Sequence, residues 1–341
     1  MRALVFTDIN KLEIHQIPNA APADNSVQIK VHYCGICGSD VHGYLGKTGR
    51  RNPPMVMGHE FSGEVVSVGP NVQNIRIGSK VTVEPLLYCG ECKACKEGLT
   101  NLCVNKSFLG VFDLNGGLME YINVPEQYVV PLEANTPILF GAMIEPLSVA
   151  YRASQQAGSI LEKNVVIIGA GTIGLLTLMF VKRQRPKNVF VIDINEFRLK
   201  VAKEIGAVII NTNEDDPLEI LKNVTGSMYA DVTIEAVGID TTAYQSISLL
   251  KNGGTSVWIG NSATEVHVPM QEIVTRELKI QGTNVYTSCE FRTVAHILAQ
   301  EHFDLERIIT KVCSLEDAID YFAKLATGSD DLLKVIVDLN Q

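Results

Sequence analysis

The feature that most constrains this chain is the β-branched run Val165-Val166-Ile167-Ile168, which breaks directly into Gly169-x-Gly171-x-x-Gly174 and then into the apolar stretch 175–181. A strand that turns through glycines into a helix cannot bury both elements alone. It calls for further strand–helix units and a parallel sheet covered on both faces. Such units follow: β-rich runs at 189–192, 208–210, 231–236 and 255–259 alternate with helical patterns at 196–205 and after 240. Read alone, the uncharged stretch 165–181 approaches the length of a membrane span, but its glycines and the strand before them argue for a buried strand and helix.

The same glycines indicate chemistry. With a strand before them and a helix after, Gly169, Gly171 and Gly174, with the intervening Thr172 and Ile173, form a place where a pyrophosphate can rest on a helix amino end. Asp193, nineteen residues past Gly174, ends the second strand, where a carboxylate can accept from ribose hydroxyls. It would repel a 2′-phosphate, so NAD is expected over NADP, although Arg198 nearby keeps NADP open.

Before residue 150 the pattern changes to short β-rich runs at 27–33, 63–68 and 80–83, and after 280 a helical stretch at 291–300 precedes a strand at 334–339. Two domains are expected of 341 residues. A formal net charge of −9 without any polybasic run argues against a nucleic-acid partner, whose footprint is a basic face.

Cys89, Cys92, Cys95 and Cys103 follow the spacing C-x2-C-x2-C-x7-C. Four thiolates so close can enclose one tetrahedral structural zinc. Disulfides would require an oxidising compartment, whereas no secretory leader is recognisable and the chain is too large to need staples; a reducing cytoplasm without a membrane anchor is expected. An iron–sulfur cluster is the other occupant such a run could hold. The absence of a proline after Cys103 and of a second such set favours zinc.

Upstream lie Cys34-Gly-Ile-Cys37-Gly-Ser39-Asp40 and the pair His59-Glu60. Cysteine, histidine and carboxylate are the mixed ligands of a zinc that keeps an open position, though Cys34 and Cys37 would equally suit a buried pair or a redox couple.

Together these motifs resemble the zinc-containing medium-chain dehydrogenases over essentially the full length, and the sorbitol (polyol) and galactitol-1-phosphate dehydrogenase branch in particular. The resemblance implies an α/β plus β fold. A GroES-like β-rich catalytic domain with a zinc lobe would occupy 1–150 and a doubly wound Rossmann NAD-binding domain 151–282, with 283–341 completing the catalytic domain and its cleft. It places a catalytic zinc on Cys37, His59 and Glu60, with Glu145 as a further or water-mediated ligand, so that two zinc ions per subunit are expected. It assigns Ser39 and His42 to a proton relay, in competition with Glu60 or Glu145 acting through water, and Tyr286 to the substrate pocket. Where alcohol dehydrogenases of the family usually carry cysteine, Glu145 stands, which favours a polyol. A tyrosine of the animal polyol enzymes is replaced by Gly43. A homodimer or homotetramer is implied. An L-threonine 3-dehydrogenase, another secondary-alcohol dehydrogenase and a redox-silent nucleotide-binding relative are the alternatives. Lys47, Arg50 and Arg51 crowd a loop before His59, and as cations facing the substrate they would favour a polyol phosphate over a neutral polyol.

Overall fold

Along the strand Ser26–Ile36 the side chains of Val27, Ile29 and Val31 are fully buried while those between them are partly exposed. This period of two lays one face of the strand on a core. The strand pairs antiparallel with Glu60–Val68 on one side and Lys334–Asp338 on the other. Two register shifts against Glu60–Val68 introduce the extra twist that curls the sheet. The sheet continues through Lys80–Val83 to Val129–Pro131 at one edge and to Ile309–Cys313 at the other, with Tyr121–Pro125 pairing to Ser26–Ile36. A computed structural model describes residues 1–328 and 331–341. They form two compact units: Met1–Pro146 with Tyr286–Gln341, and Leu147–Val285.

The second unit is a six-stranded parallel sheet. Its spatial order is Val208–Asn211, Asn188–Asp193, Asn164–Ile168, Ala230–Glu235, Leu250–Trp258 and Lys279–Gly282. With the first strand in sequence at the centre and successive strands added to either side, this is the doubly wound dinucleotide-binding topology. The apolar stretch that mimics a membrane span is the strand Asn164–Ile168 and the helix Thr172–Arg183, both largely buried. Among the described residues no helix is long and apolar enough to cross a membrane. One helix here, Pro217–Thr225, is absent from the sequence reading although its start is legible. Asp216 caps Leu218 N–H at 2.9 Å and proline takes the first helical position.

In the first unit the four-cysteine loop is tied down through a buried acid. Glu84 is fully buried, accepts from Ser288 Oγ at 2.7 Å, and has its other oxygen unpartnered. Tyr88 donates to the same serine at 3.1 Å, and Ser288 N–H donates to Thr100 at 2.8 Å, so the amino end of helix Ser288–Gln300 is stitched to both ends of the loop. Burial pushes the Glu84 carboxyl up to about 7, against the opposing pull of Ser288 and Arg292. Because this raises it above the unfolded value, the fold is favoured by protonated Glu84. That contribution is complete below about pH 4.5 and lost as pH rises through about 7, a difference of about 3 kcal/mol. Glu84→Gln is therefore expected to be more stable than the parent at pH 8 and nearly equal to it at pH 5. Urea unfolding of the metal-loaded protein at both values checks this, and a pH-independent difference would refute it.

Candidate metal centres and nucleotide site

Three strand ends build one of the sites. Because Ser26–Ile36 runs antiparallel to both of its neighbours, its carboxyl end meets the amino ends of Glu60–Val68 and Lys334–Asp338. Register sets Gly35 opposite Glu60 and Ile36 opposite Val335. Cys37 follows as the N-cap of the short helix Gly38–Tyr44, which carries Ser39, Asp40 and His42. Cys37, His59 and Glu60 each offer a ligand atom, all within 4.8 Å of one another. Gly35 makes this possible, since a Cβ there would collide with Glu60 Oε2.

Two buried cations shape the cluster. Lys334 Nζ lies 2.7 and 2.6 Å from the two Glu60 oxygens and 3.2 Å from the Ile36 carbonyl. Arg51 Nη2 donates to Asp40 Oδ1 at 2.7 Å and to Ser39 Oγ at 3.0 Å. Asp40 has no exposed surface. Its Oδ2 accepts from Cys37 N–H at 3.3 Å, and its Oδ1 lies 3.3 Å from His59 Nδ1, outside hydrogen-bond geometry. With Nδ1 turned to Asp40, Nε2 is the ring atom left for a metal, and a carboxylate behind a histidine is the usual means of orienting such a ligand.

The acids around His59 favour positive charge there. Burial alone would push the His59 imidazole down, but Asp40 and Cys37 outweigh it and hold the ring well above its ordinary value. Asp40 stays strongly acidic despite burial because His59 and Arg51 face it. Glu145, in the first turn of helix Ile144–Gln156, is pushed up to about 7 by burial, with His59 opposing and Glu60 reinforcing the shift. It lies beside the trio but not within the 4.8 Å set. Tyr286, fully buried, is close enough to favour the Glu145 carboxylate yet makes no hydrogen bond of ordinary geometry. The sulfur, nitrogen and oxygen donors fit a zinc that keeps a position open.

The surroundings of further residues singled out by the sequence are as follows. Arg51, grouped by sequence with Lys47 and Arg50 as a cation facing the substrate, is turned to Asp40 and Ser39. Lys47 and Arg50 are exposed, whereas the Arg51 side chain is 3% exposed, drawn inward because Asp40 would otherwise be a buried, uncompensated charge. Tyr286, which the resemblance assigns to the substrate pocket, has no exposed surface and lies near Glu145. Cys34 and Cys37, which would also suit a buried pair or a redox couple, are both free thiols: Cys34 is fully buried, with its thiol raised well above normal by that burial, while Cys37 is partly exposed. His42 is half-buried and its imidazole is lowered by burial and by the nearby Lys47 and Arg51, which leaves it neutral and able to accept a proton.

The second cluster is Cys89, Cys92, Cys95 and Cys103, with four sulfurs within 4.8 Å of one another and neighbouring separations of 3.5, 3.5 and 4.0 Å. A tetrahedron with zinc–sulfur bonds near 2.3 Å requires sulfurs about 3.8 Å apart. Backbone N–H groups lower the thiols of Cys89 and Cys92, while burial and the neighbouring Cys92 raise that of Cys95. Four thiols in this space cannot all ionise without a cation among them.

In the second unit Gly169 takes φ +100°, and Gly174 lies so close to the Gly169 carbonyl that a Cβ would collide with it. Gly171, the N-cap of the helix, is different: a Cβ there would meet nothing within 4 Å. The helix amino end beside it is open space, as a pyrophosphate needs. Asp193 Oδ2 accepts from Ala170 N–H at 2.6 Å, and its Oδ1 accepts from the N–H groups of Ile194 and Asn195 at 2.8 and 2.9 Å. The acid thus ties the glycine turn to the second strand and retains lone pairs for ribose hydroxyls. Arg198 sits in the first turn of helix Glu196–Ile205, partly exposed.

The alcohol dehydrogenase GroES-like domain model matches residues 23–134, and the zinc-binding dehydrogenase model matches residues 172–300. Sorbitol dehydrogenase of Bacillus subtilis is 31% identical, covering all of this chain and 98% of its own length. Among solved structures, galactitol-1-phosphate dehydrogenase of Escherichia coli superposes with a TM-score of 0.91 at 28% identity, over 99% of this chain and 100% of its own. A zinc-binding dehydrogenase of Sinorhizobium meliloti, described as putative and bound to NADP, gives 0.91 at 29% identity over 99% of both chains.

Proposed function

The chain belongs to the zinc-binding alcohol dehydrogenase family, and within it we propose that this protein transfers hydride between NAD and the secondary alcohol of a polyol or polyol phosphate, giving a ketose or its phosphate. The observation that carries this reading is the Cys37, His59 and Glu60 set beside a helix bearing Ser39 and His42, in a chain that also has the dinucleotide glycines. Cys37, His59 and Glu60, with Glu145 as a further or water-mediated ligand, would hold zinc, which would supply a Lewis acid toward the hydroxyl, and NAD would supply the hydride acceptor. Ser39 and His42, three residues apart on one helix face, receive the hydroxyl proton and pass it on, the neutral imidazole being a suitable acceptor. Cys89, Cys92, Cys95 and Cys103 hold a second, structural zinc.

Asp193 supports NAD over NADP because a buried-side carboxylate welcomes ribose hydroxyls and repels a phosphate; the NADP in the Sinorhizobium structure belongs to that protein. Lys47 and Arg50 remain as exposed cations for a phosphorylated substrate. Homo-oligomer formation through the second unit is supported by Lys279–Gly282, an edge strand with all four residues exposed, near exposed Met270 and Val274. Eight free thiols support a reducing, cytoplasmic setting.

The test is reduced-coenzyme formation with neutral polyols, polyol phosphates and threonine, each with NAD and NADP. A secondary polyol or its phosphate with NAD is expected to be preferred. Asp193→Ala should raise the KM for NAD about tenfold, or roughly 1.4 kcal/mol, and narrow the preference. Threonine as the best substrate, or a wild type that prefers NADP, would overturn the corresponding assignment.

A further inference from the structure

The buried guanidinium of Arg51, whose Nε has no hydrogen-bond partner, does more through Nη2 than neutralise one acid. Its Nη2 contacts both Asp40 Oδ1 and Ser39 Oγ, at 2.7 and 3.0 Å. Its stem lies on the helix Gly38–Tyr44 so closely that a Cβ on Gly43 would meet Arg51 Cδ. Its backbone forms an isolated bridge with Phe112. The arginine is therefore held from both ends.

Ser39 and Asp40 are consecutive residues of one helical turn, so their side chains leave the axis about 100° apart. One nitrogen bonded to both fixes their rotamers relative to each other. Asp40 then reaches the Cys37 N–H and faces His59, so the position of the Ser39 hydroxyl is referenced to two of the candidate metal ligands.

We propose that Arg51 is a positioning residue for proton transfer. The proposal rests on the dehydrogenase reading above. A serine oxygen has two lone pairs and one proton. Arg51 engages one lone pair, which leaves the other to accept from the substrate and the O–H to donate onward. In oxidation the substrate O–H breaks as its proton bonds to Ser39 Oγ, and the serine's own proton passes to water or His42. The electron pair stays on the substrate oxygen and becomes the second carbonyl bond as hydride leaves the carbinol carbon for NAD. A serine without the arginine would sample three rotamers, few of them productive.

The test uses the zinc-loaded enzyme and its Arg51→Met, Ser39→Ala and double variants. Zinc content, NADH affinity and thermal midpoint are measured beside kcat in H2O and D2O. Arg51→Met is expected to keep both zinc ions and its NADH affinity, to lose tenfold or more in kcat, and to show a larger solvent isotope effect. The double variant should be no slower than Ser39→Ala, because the arginine acts through the serine. A crystal structure of Arg51→Met should show Ser39 in more than one rotamer. Losses that multiply in the double variant, or a wild-type kcat and isotope effect in Arg51→Met, overturn the proposal. If Arg51→Met loses zinc or fails to fold, Arg51→Lys, which keeps a cation opposite Asp40, decides by the same cycle: a slowed kcat that does not compound with Ser39→Ala supports it, and multiplying losses or a wild-type rate overturns it. A wild type that oxidises no secondary alcohol would instead refute the dehydrogenase reading.

Discussion

His59→Ala is expected to abolish turnover, lowering kcat/KM by a thousandfold or more, or about 4 kcal/mol of transition-state stabilisation. His59 is 5% exposed, faces Asp40 through Nδ1, and is the only nitrogen donor beside Cys37 and Glu60 in the compact trio. Its removal leaves two candidate ligands, one of which, Glu60, is already held through both oxygens by Lys334. Metal at this site should be lost, so zinc analysis should fall from two equivalents to one. NADH binding, measured by fluorescence titration, should be retained because Gly169, Gly171 and Asp193 belong to the other unit. A variant that keeps two zinc ions and substantial activity would remove His59 from the metal site.

Cys92→Ser should affect the fold instead of the chemistry. The helix Lys93–Lys96 buries no residue and the turn Thr100–Leu102 buries only Thr100 and Asn101, so the loop has almost no apolar core of its own. A structural zinc in small modules contributes on the order of 10 kcal/mol to folding, comparable to a domain's whole stability. Loss of one thiolate should release one zinc equivalent, expose Leu99, Leu102 and Val104 further, and drive aggregation. Metal analysis and sedimentation check this. A soluble variant with unchanged stoichiometry and melting temperature would disprove a structural metal here.

Most of the second unit was legible because its signals are local. The β-branched run, the glycines and the acid at the end of the next strand all lie within thirty residues of one another, and each dictates its own backbone geometry. The cysteine loop was legible for the same reason. In the first unit the strands were visible but their partners were not, since sheet pairing joins residues far apart in sequence. Lys334, 274 residues from Glu60, carries no motif. Gly35, lodged between Cys34 and Cys37, was the one local clue that a neighbouring strand comes close at this point.

Arg51 marks the boundary most clearly. Sequence alone marks which residues are candidates to bind metal and nucleotide, because ligand chemistry and short spacings belong to the residues themselves. Whether an arginine in a basic loop meets solvent or a buried aspartate is a question of desolvation, and desolvation depends on everything packed around the group. Only the tertiary structure turned Arg51 inward to Asp40 and Ser39, set Lys334 against Glu60, and raised the Glu84 carboxyl, because each of these follows from burial and from charges brought together by sheet register.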